Sequence, residues 1–275
     1  MRLQVSHNFF YGHITIYKIR PTLRKIGSSM QSPYPVLIIL LAGVAASIFF
    51  KKLTVTAAIT GGILGWLIYA GGGYKGLLFI AVFFILGTAA TSWKKKEKLS
   101  IRANAGHQST RTTGQVVANA GIAALAGLLA VLFPSWRDLL QLMMAGSMSA
   151  AMADTLSSEL GMVYGRRHYH ILTWKPDEKG QDGVVSFEGL LIGIAGSVVI
   201  AIIYILGQPV SQSGSSRVIS LLIIVLAGTL GNLADSLLGA FFERQGHLSN
   251  NIVNLLNTLT GALAAGLLAR IVVFS

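Results

Sequence analysis

Long apolar stretches recur along this chain, with polar residues gathered in short clusters between them. A helix crossing a hydrocarbon core about 30 Å thick needs roughly 20 predominantly apolar residues. On that measure the pattern predicts about eight spans, near 33–50, 53–72, 74–93, 115–133, 137–160, 187–206, 218–242 and 251–274. The expected fold is therefore an all-α, polytopic transmembrane helical bundle. Pro33 and Pro35 mark the start of the first span, and Gly71-Gly72-Gly73 predicts a sharp turn between the second and third. Trp66, Tyr69, Trp93 and Trp136 fall near predicted membrane–water interfaces, where amphipathic rings collect.

Composition agrees with the pattern. The 275 residues are 53% apolar and only 12% charged, and 31 glycines suit close helix packing in a bilayer. The absence of cysteine excludes disulfides and thiolate metal sites. A net charge of +12 would suggest nucleic acid in a soluble protein. In a membrane protein it reads as basic loops beside anionic headgroups, and no nucleic-acid partner is expected. Residues 1–31 form a basic leader with Arg2, Lys18, Arg20, Arg24 and Lys25 and without the apolar core of a signal peptide. It reads either as an over-called extension, the natural start lying at or near Met30, or as a basic arm on the membrane surface. Residues 32–275 read as a single transmembrane domain.

Loop charge gives an orientation. Lys51 and Lys52, the cluster from Lys94 to Arg111, then Arg166, Arg167, Lys175, Lys179 and Arg244 fall on one side, against Lys75, Arg137, Arg217 and Arg270 on the other. The basic side is expected to be cytoplasmic, in the cell membrane. Lys94 to Lys98 reads as a topology signal.

Against this apolar background stands Ala153-Asp154-Thr155-Leu156-Ser157-Ser158-Glu159, with a second version at Ala234-Asp235-Ser236-Leu237. A carboxylate within a span is costly unless paired, hydrated or bound to a cation, which makes it a functional candidate. Asp154 and Asp235 follow Arg137 and Arg217 at nearly equal separations, in spans running the same way, so both are expected near the cytoplasmic end. Asn119, Asn254, Asn257 and Glu188 open their own spans from that side. Five spans thus deliver polar groups to one layer. Asp154 and Glu159 are about 140° apart on a helix at 100° per residue, so a shared ion does not follow.

Hard oxygen ligands suit Mg²⁺, which takes one or two carboxylates plus substrate phosphates. The neighbouring loops, Arg102 to Gly114 and Lys175 to Gly183, mix cations, hydroxyls and glycine, as polyphosphate binding requires. No GxxxxGK[ST] sequence is present, which excludes an ordinary P-loop.

Several of these pieces together resemble one family. They are Arg102 to Gly106, Gly114 to Asn119, Ala153 to Gly161, the glycine-rich stretch to Gly183, Ser186 to Gly189, Asp235 to Gly239, and Asn251 to Gly261. In this order they resemble the phytyl-phosphate kinase family of integral membrane proteins, long called a domain of unknown function, which includes the human transmembrane-protein-nineteen type. Leu156 and Ser157 stand where that family usually has Trp and Ala. The run from Asp154 through Gly165-Arg166-Arg167 and Lys175 to Ser186-Phe187-Glu188-Gly189 is also similar to CTP-dependent polyprenol and phytol kinases. The resemblances imply a nucleoside triphosphate donor, CTP or ATP, and an isoprenyl monophosphate acceptor.

The expected site follows. Asp154 and Asp235 would hold Mg²⁺, and Glu159 would act as ligand or base. Arg102, Arg111, Lys175 and Lys179 would neutralise phosphates, while Asn119, Asn254, Asn257 and Glu188 would contact the substrate. The rival reading is a carrier or flippase for an anionic lipid or small molecule, since the Ala-Asp-[Thr/Ser]-Leu repeat suits a transporter. The sequence assigns no oligomeric state.

Overall fold

The computed structural model describes residues 34–101, 110–208 and 213–274, so the leader and Arg102 lie outside the described residues. The chain divides into two compact units, 1–39 and 40–275. The described part of the first opens helix α1 (Tyr34–Phe49).

The second unit is almost wholly helical. Its elements are α2 (Val55–Ser92), α3 (Lys95–Ile101), α4 (Thr113–Leu132), α5 (Arg137–Tyr164), α6 (Phe187–Leu206), α7 (Gly214–Leu238) and α8 (Asn250–Phe274). Side chains close several helix starts. Thr54 accepts from the Ala57 N–H, Gln115 from the Thr112 N–H, and Ser186 from the Gly189 N–H, each satisfying a donor that the first helical turn leaves open. Between α5 and α6 lies a hairpin of β1 (Tyr169–His170) and β2 (Val184–Val185), paired antiparallel. The all-helical pattern did not anticipate it, because strands of two residues carry no periodic signal.

Helices overlie each expected stretch. Gly71 and Gly72 stay helical, and only Gly73, at φ 64° and ψ −155°, leaves the helical region. Val55–Ser92 is therefore two helices meeting at a kink at Gly73, the sharp turn expected at the three glycines, and Ile80 comes back to lie near Gly65. Among the described residues, five helices are long and apolar enough to cross a membrane: α2, α4, α6, α7 with its following turn, and α8. Helix α1 is apolar but shorter, and α5 falls outside that set.

Helix α5 is the centre of the second unit. It packs against α2, α4, α6, α7 and α8. Every residue from Met144 to Asp154 is buried, so the helix has no outward face over three turns. A helix enclosed on all sides needs small residues where neighbours approach, and Gly146, Ser147, Ser149, Ala150, Ala151 and Ala153 supply them. That choice is what makes its composition less apolar. Met144, Met148 and Met152 fill the spaces between, against Ile200 of α6 and Ile224 of α7.

Candidate functional site

Asp154 ends the buried run of α5, where the helix emerges from its neighbours. Asp235 lies near the end of α7. The two side chains face one another across the α5–α7 contact, and Asp182 and Asn257 face Asp235 as well. Asp154 and Asp235 share a cavity of about 140 Å³. Hydroxyls of Ser157, Ser158, Ser186 and Ser236 and the amide of Asn232 also line it. The structure therefore brings together the two aspartates that the sequence pairs.

One wall belongs to the loop before β2. Gly180, Gln181, Asp182 and Gly183 line the cavity from that side. Gly183 has φ 74°, and a Cβ there would collide with Ala240. Glycine is thus required twice, for the backbone and for the contact. After Leu238 the helix widens into a π turn, Gly239–Glu243, and the loop seats against it, Gly239 beside the Gly183 N–H. Such single turns of π helix are frequent at functional sites. Beyond it Arg244 grips Asp177, Nη1 to Oδ2 at 2.5 Å and Nη2 to Oδ1 at 3.4 Å, tying the hairpin to the end of α7. These hydrogen bonds, with one from the Glu178 N–H, hold the Asp177 carboxyl below its usual range.

Other expected site residues lie elsewhere. Glu159 is buried but accepts a hydrogen bond from Lys98, a residue only 1% exposed that also donates to the carbonyls of Ala90 (2.7 Å) and Thr91 (3.0 Å). The Glu159 carboxylate therefore lies on a different face of α5 from Asp154, as the angular separation allows, and does not line the cavity. Lys98 is correspondingly a buried ion-pair partner as well as part of a basic cluster. Arg111 lies over the Phe83 ring at 5.6 Å and against Gly87, near the same glutamate. Burial lowers its pKa and the Glu159 charge partly offsets this.

The remaining residues make local bonds. Asn119 Nδ2 donates to the Gln115 carbonyl at 2.8 Å, and Asn254 Nδ2 to the Asn250 carbonyl at 2.9 Å, each within its own helix. Glu188 accepts from the Arg166 N–H at 3.3 Å, tethering the loop after α5. Ser186 and Gly189 serve the fold, since the serine caps α6 and the glycine packs on Gly161. Lys175 and Lys179 are exposed on the hairpin and do not line the cavity. Asn257 is fully buried beside Asp235 and does not itself line the cavity; its amide leans toward the Asp235 carboxyl without closing a full hydrogen bond.

Glu243 and Asn250 line the cavity beside the expected residues, and so do Asn232, Asp182 and His168, none of them expected as a site residue. Asn232 precedes Asp235 by three positions, a neighbour on the same face that helical spacing alone identifies. Asp182 and His168 sit on the hairpin loop, whose path no periodicity encodes. Among the described residues no group of three or more His, Cys, Asp or Glu forms a metal cluster. The cavity is lined by four acids, Asp154, Asp182, Asp235 and Glu243, with neutral oxygen donors around them. Hard oxygens of this kind fit Mg²⁺, which takes only one or two protein carboxylates.

Residues 37–262 match the family described as integral membrane protein DUF92. This chain belongs to that family. The chain is 34% identical over 206 residues to an uncharacterized membrane protein of Methanocaldococcus jannaschii, covering 73% of this chain and 79% of that one. It is 32% identical over 205 residues to an uncharacterized membrane protein of Synechocystis, covering 74% and 77%. The chloroplastic protein VTE6 of Arabidopsis thaliana is 29% identical over 225 residues, covering 79% of this chain and 65% of that protein. No solved structure matches. The chain is thus an integral membrane protein with several spans.

Proposed function

We propose that this protein is a membrane phosphotransferase that moves the terminal phosphoryl group of a nucleoside triphosphate, CTP or ATP, to an isoprenyl monophosphate of the phytyl type. One observation carries the reading: acids from two different helices meet at a hydroxyl-rich cavity walled by a glycine-bearing loop. Phosphoryl transfer is mostly positioning and charge neutralisation, and that is what such a site supplies. The resemblance of the motifs to isoprenyl-phosphate and polyprenol kinases supports the choice of acceptor.

In this reading Asp154 and Asp235 hold Mg²⁺, which when bound neutralises phosphate charge. Ser157, Ser236 and Asn232 orient phosphate oxygens by hydrogen bonds. An oxygen of the acceptor monophosphate attacks the terminal phosphorus, the bond to the bridging oxygen breaks, and the nucleoside diphosphate leaves. The acceptor is already ionised at neutral pH, so no strong base is needed, consistent with Glu159 lying off the cavity. Lys175 and Lys179 on the hairpin meet the nucleotide as it arrives. The isoprenoid tail lies along the bundle in the bilayer. The further details of this reading are eight crossings and a cavity that opens to the cytoplasm of the cell.

The test is label transfer. Purified protein in detergent is given Mg²⁺, labelled CTP or ATP, and phytyl, geranylgeranyl or undecaprenyl phosphate. The expected product is a labelled isoprenyl diphosphate, lost in Asp154→Asn and Asp235→Asn. Substrate flux across liposomes with no label transfer to any acceptor would overturn the proposal in favour of a carrier.

A further inference from the structure

Helix α8 places Asn257 beside Asp235, and the amide nitrogen of Asn257 is in a different state from those of Asn119 and Asn254. Asn119 and Asn254 each donate to a carbonyl of their own helix. Asn257 does not. It is 0% exposed, and both its amide atoms are buried without a hydrogen-bond partner. A buried amide left unsatisfied is rare, and it points to a water, an ion or a ligand at the site. Asp235, which Asn257 faces, also keeps one carboxylate oxygen buried without a partner. Unsatisfied groups from two helices therefore lie side by side, and Asp154 of a third helix faces Asp235.

The packing around this side chain is close, and Gly231 spares both it and Ala150 of α5. Gly231 lies one turn before Asp235 on α7, and a Cβ there would stand 2.8 Å from Asn257 Oδ1. An apolar residue at 257 would fill such a position without leaving polar atoms unsatisfied. The amide leans toward the Asp235 carboxyl without closing a full hydrogen bond, and a turn about its terminal bond presents its oxygen on that side. A neutral amide oxygen beside two carboxylates is a ligand set for a hard divalent cation.

We infer that Asn257 is the third protein oxygen of the divalent-cation site, beside Asp154 and Asp235, so that the cation joins α5, α7 and α8. Its role is therefore at the cation and not at the lipid headgroup. The inference rests on reading the cavity as a cation site, but not on phosphoryl transfer.

Mn²⁺ serves as the probe, with binding to the full chain in detergent followed by electron paramagnetic resonance and the folded fraction by size exclusion. Asn257→Leu keeps the volume and removes the oxygen, and is expected to weaken Mn²⁺ binding by more than about tenfold while the protein stays folded. Asn257→Asp restores an oxygen and adds charge, and is expected to bind Mn²⁺ at least as tightly as the native chain. Native affinity in a folded Asn257→Leu protein would overturn the inference, as would loss of binding in a folded Asn257→Asp protein. Should Asn257→Leu not fold, Asn257→Ser, with a shorter oxygen, is expected to show the weakened binding, and native affinity there overturns the inference equally. Absence of any Mn²⁺ binding by the native chain also overturns it. Label transfer judges the kinase reading separately: Asn257-dependent Mn²⁺ binding without transfer leaves this inference standing and removes that one.

Discussion

Two acids on α5, five residues apart, have opposite surroundings. Glu159 is enclosed by Lys98, which reaches it from the short helix α3 while also donating to two backbone carbonyls of α2. Asp154 faces a second acid, Asp235, across a cavity. Both acids are buried to the same extent, 9% exposed, so depth does not distinguish them. What differs is the sign of the charge brought alongside. A carboxylate matched to a cation inside the protein fastens elements together. A carboxylate placed against another carboxylate is a place for a cation or proton to be taken up.

The largest effect expected from this contrast is at Lys98. Removing one member of a buried ion pair leaves an uncompensated charge, at a cost of about 3–5 kcal/mol. Lys98→Met is therefore expected to unfold at much lower temperature or denaturant, at the lower end of that range because Arg111 is drawn to the same glutamate. Adding Glu159→Leu should recover most of the loss, and the double variant should keep its activity per folded molecule. A double variant that is stable but inactive would move Glu159 into the catalytic machinery and erase the contrast.

At the other acid the expectation reverses. Asp235→Asn removes a like charge from beside Asp154, so the chain should be at least as heat-stable as the native one when divalent cations are chelated. Its phosphoryl transfer should fall by more than about 100-fold, since even groups behind metal ligands are worth 10–100-fold. Loss of stability together with activity would mean that the pair is a structural network like the one at Glu159.

The sequence exposes one half of this contrast and hides the other. Asp154 and Asp235 are legible because each interrupts an apolar span at the same distance from a basic residue at the opposite end, and helix geometry converts that distance into depth. The angle between Asp154 and Glu159 is legible for the same reason. Lys98 is not: it sits in a run with Lys94, Lys95 and Lys96, which reads as one topology signal until the seven-residue α3 turns one of its side chains inward. The wall of the cavity is hidden too. Its residues belong to a 22-residue connection whose path depends on a two-residue hairpin and on the fit of Gly183 against Ala240, contacts that no local pattern reports. Helix α5 shows the converse: its Ser, Gly and Ala content makes it look less apolar than its neighbours, and only enclosure by five helices explains that content.

The hairpin wall can be loosened without touching either acid. Gly183→Ala forces a left-handed backbone position onto a residue with a Cβ and drives that carbon into Ala240. Strain of this kind costs about 1–3 kcal/mol, concentrated in the loop. Amide exchange is expected to rise at 180–185 while the centre of α5 stays protected. Equal loss of protection at both places would show that the wall and the bundle open as one unit.

The smallest expected effect is the pH response of the Asp177–Arg244 clasp. The Arg244 hydrogen bonds, with the Glu178 N–H, lower the Asp177 pKa in the folded chain. A carboxyl depressed in this way adds stability that is complete above the unfolded value, about 4, and that disappears as pH falls through the lower folded value. Arg244 is 36% exposed at its side chain, so solvent screening limits the contribution to about 1 kcal/mol or less. The hairpin should therefore become more open to acid-active proteases below about pH 4, before the bundle is affected. Asp177→Asn should show the looser hairpin already at neutral pH, with the acid step at this site gone. If native and variant hairpins are cleaved alike at both pH values, the clasp does not hold the wall. Gly183 against Ala240 would then be the contact that keeps the cavity closed on that side.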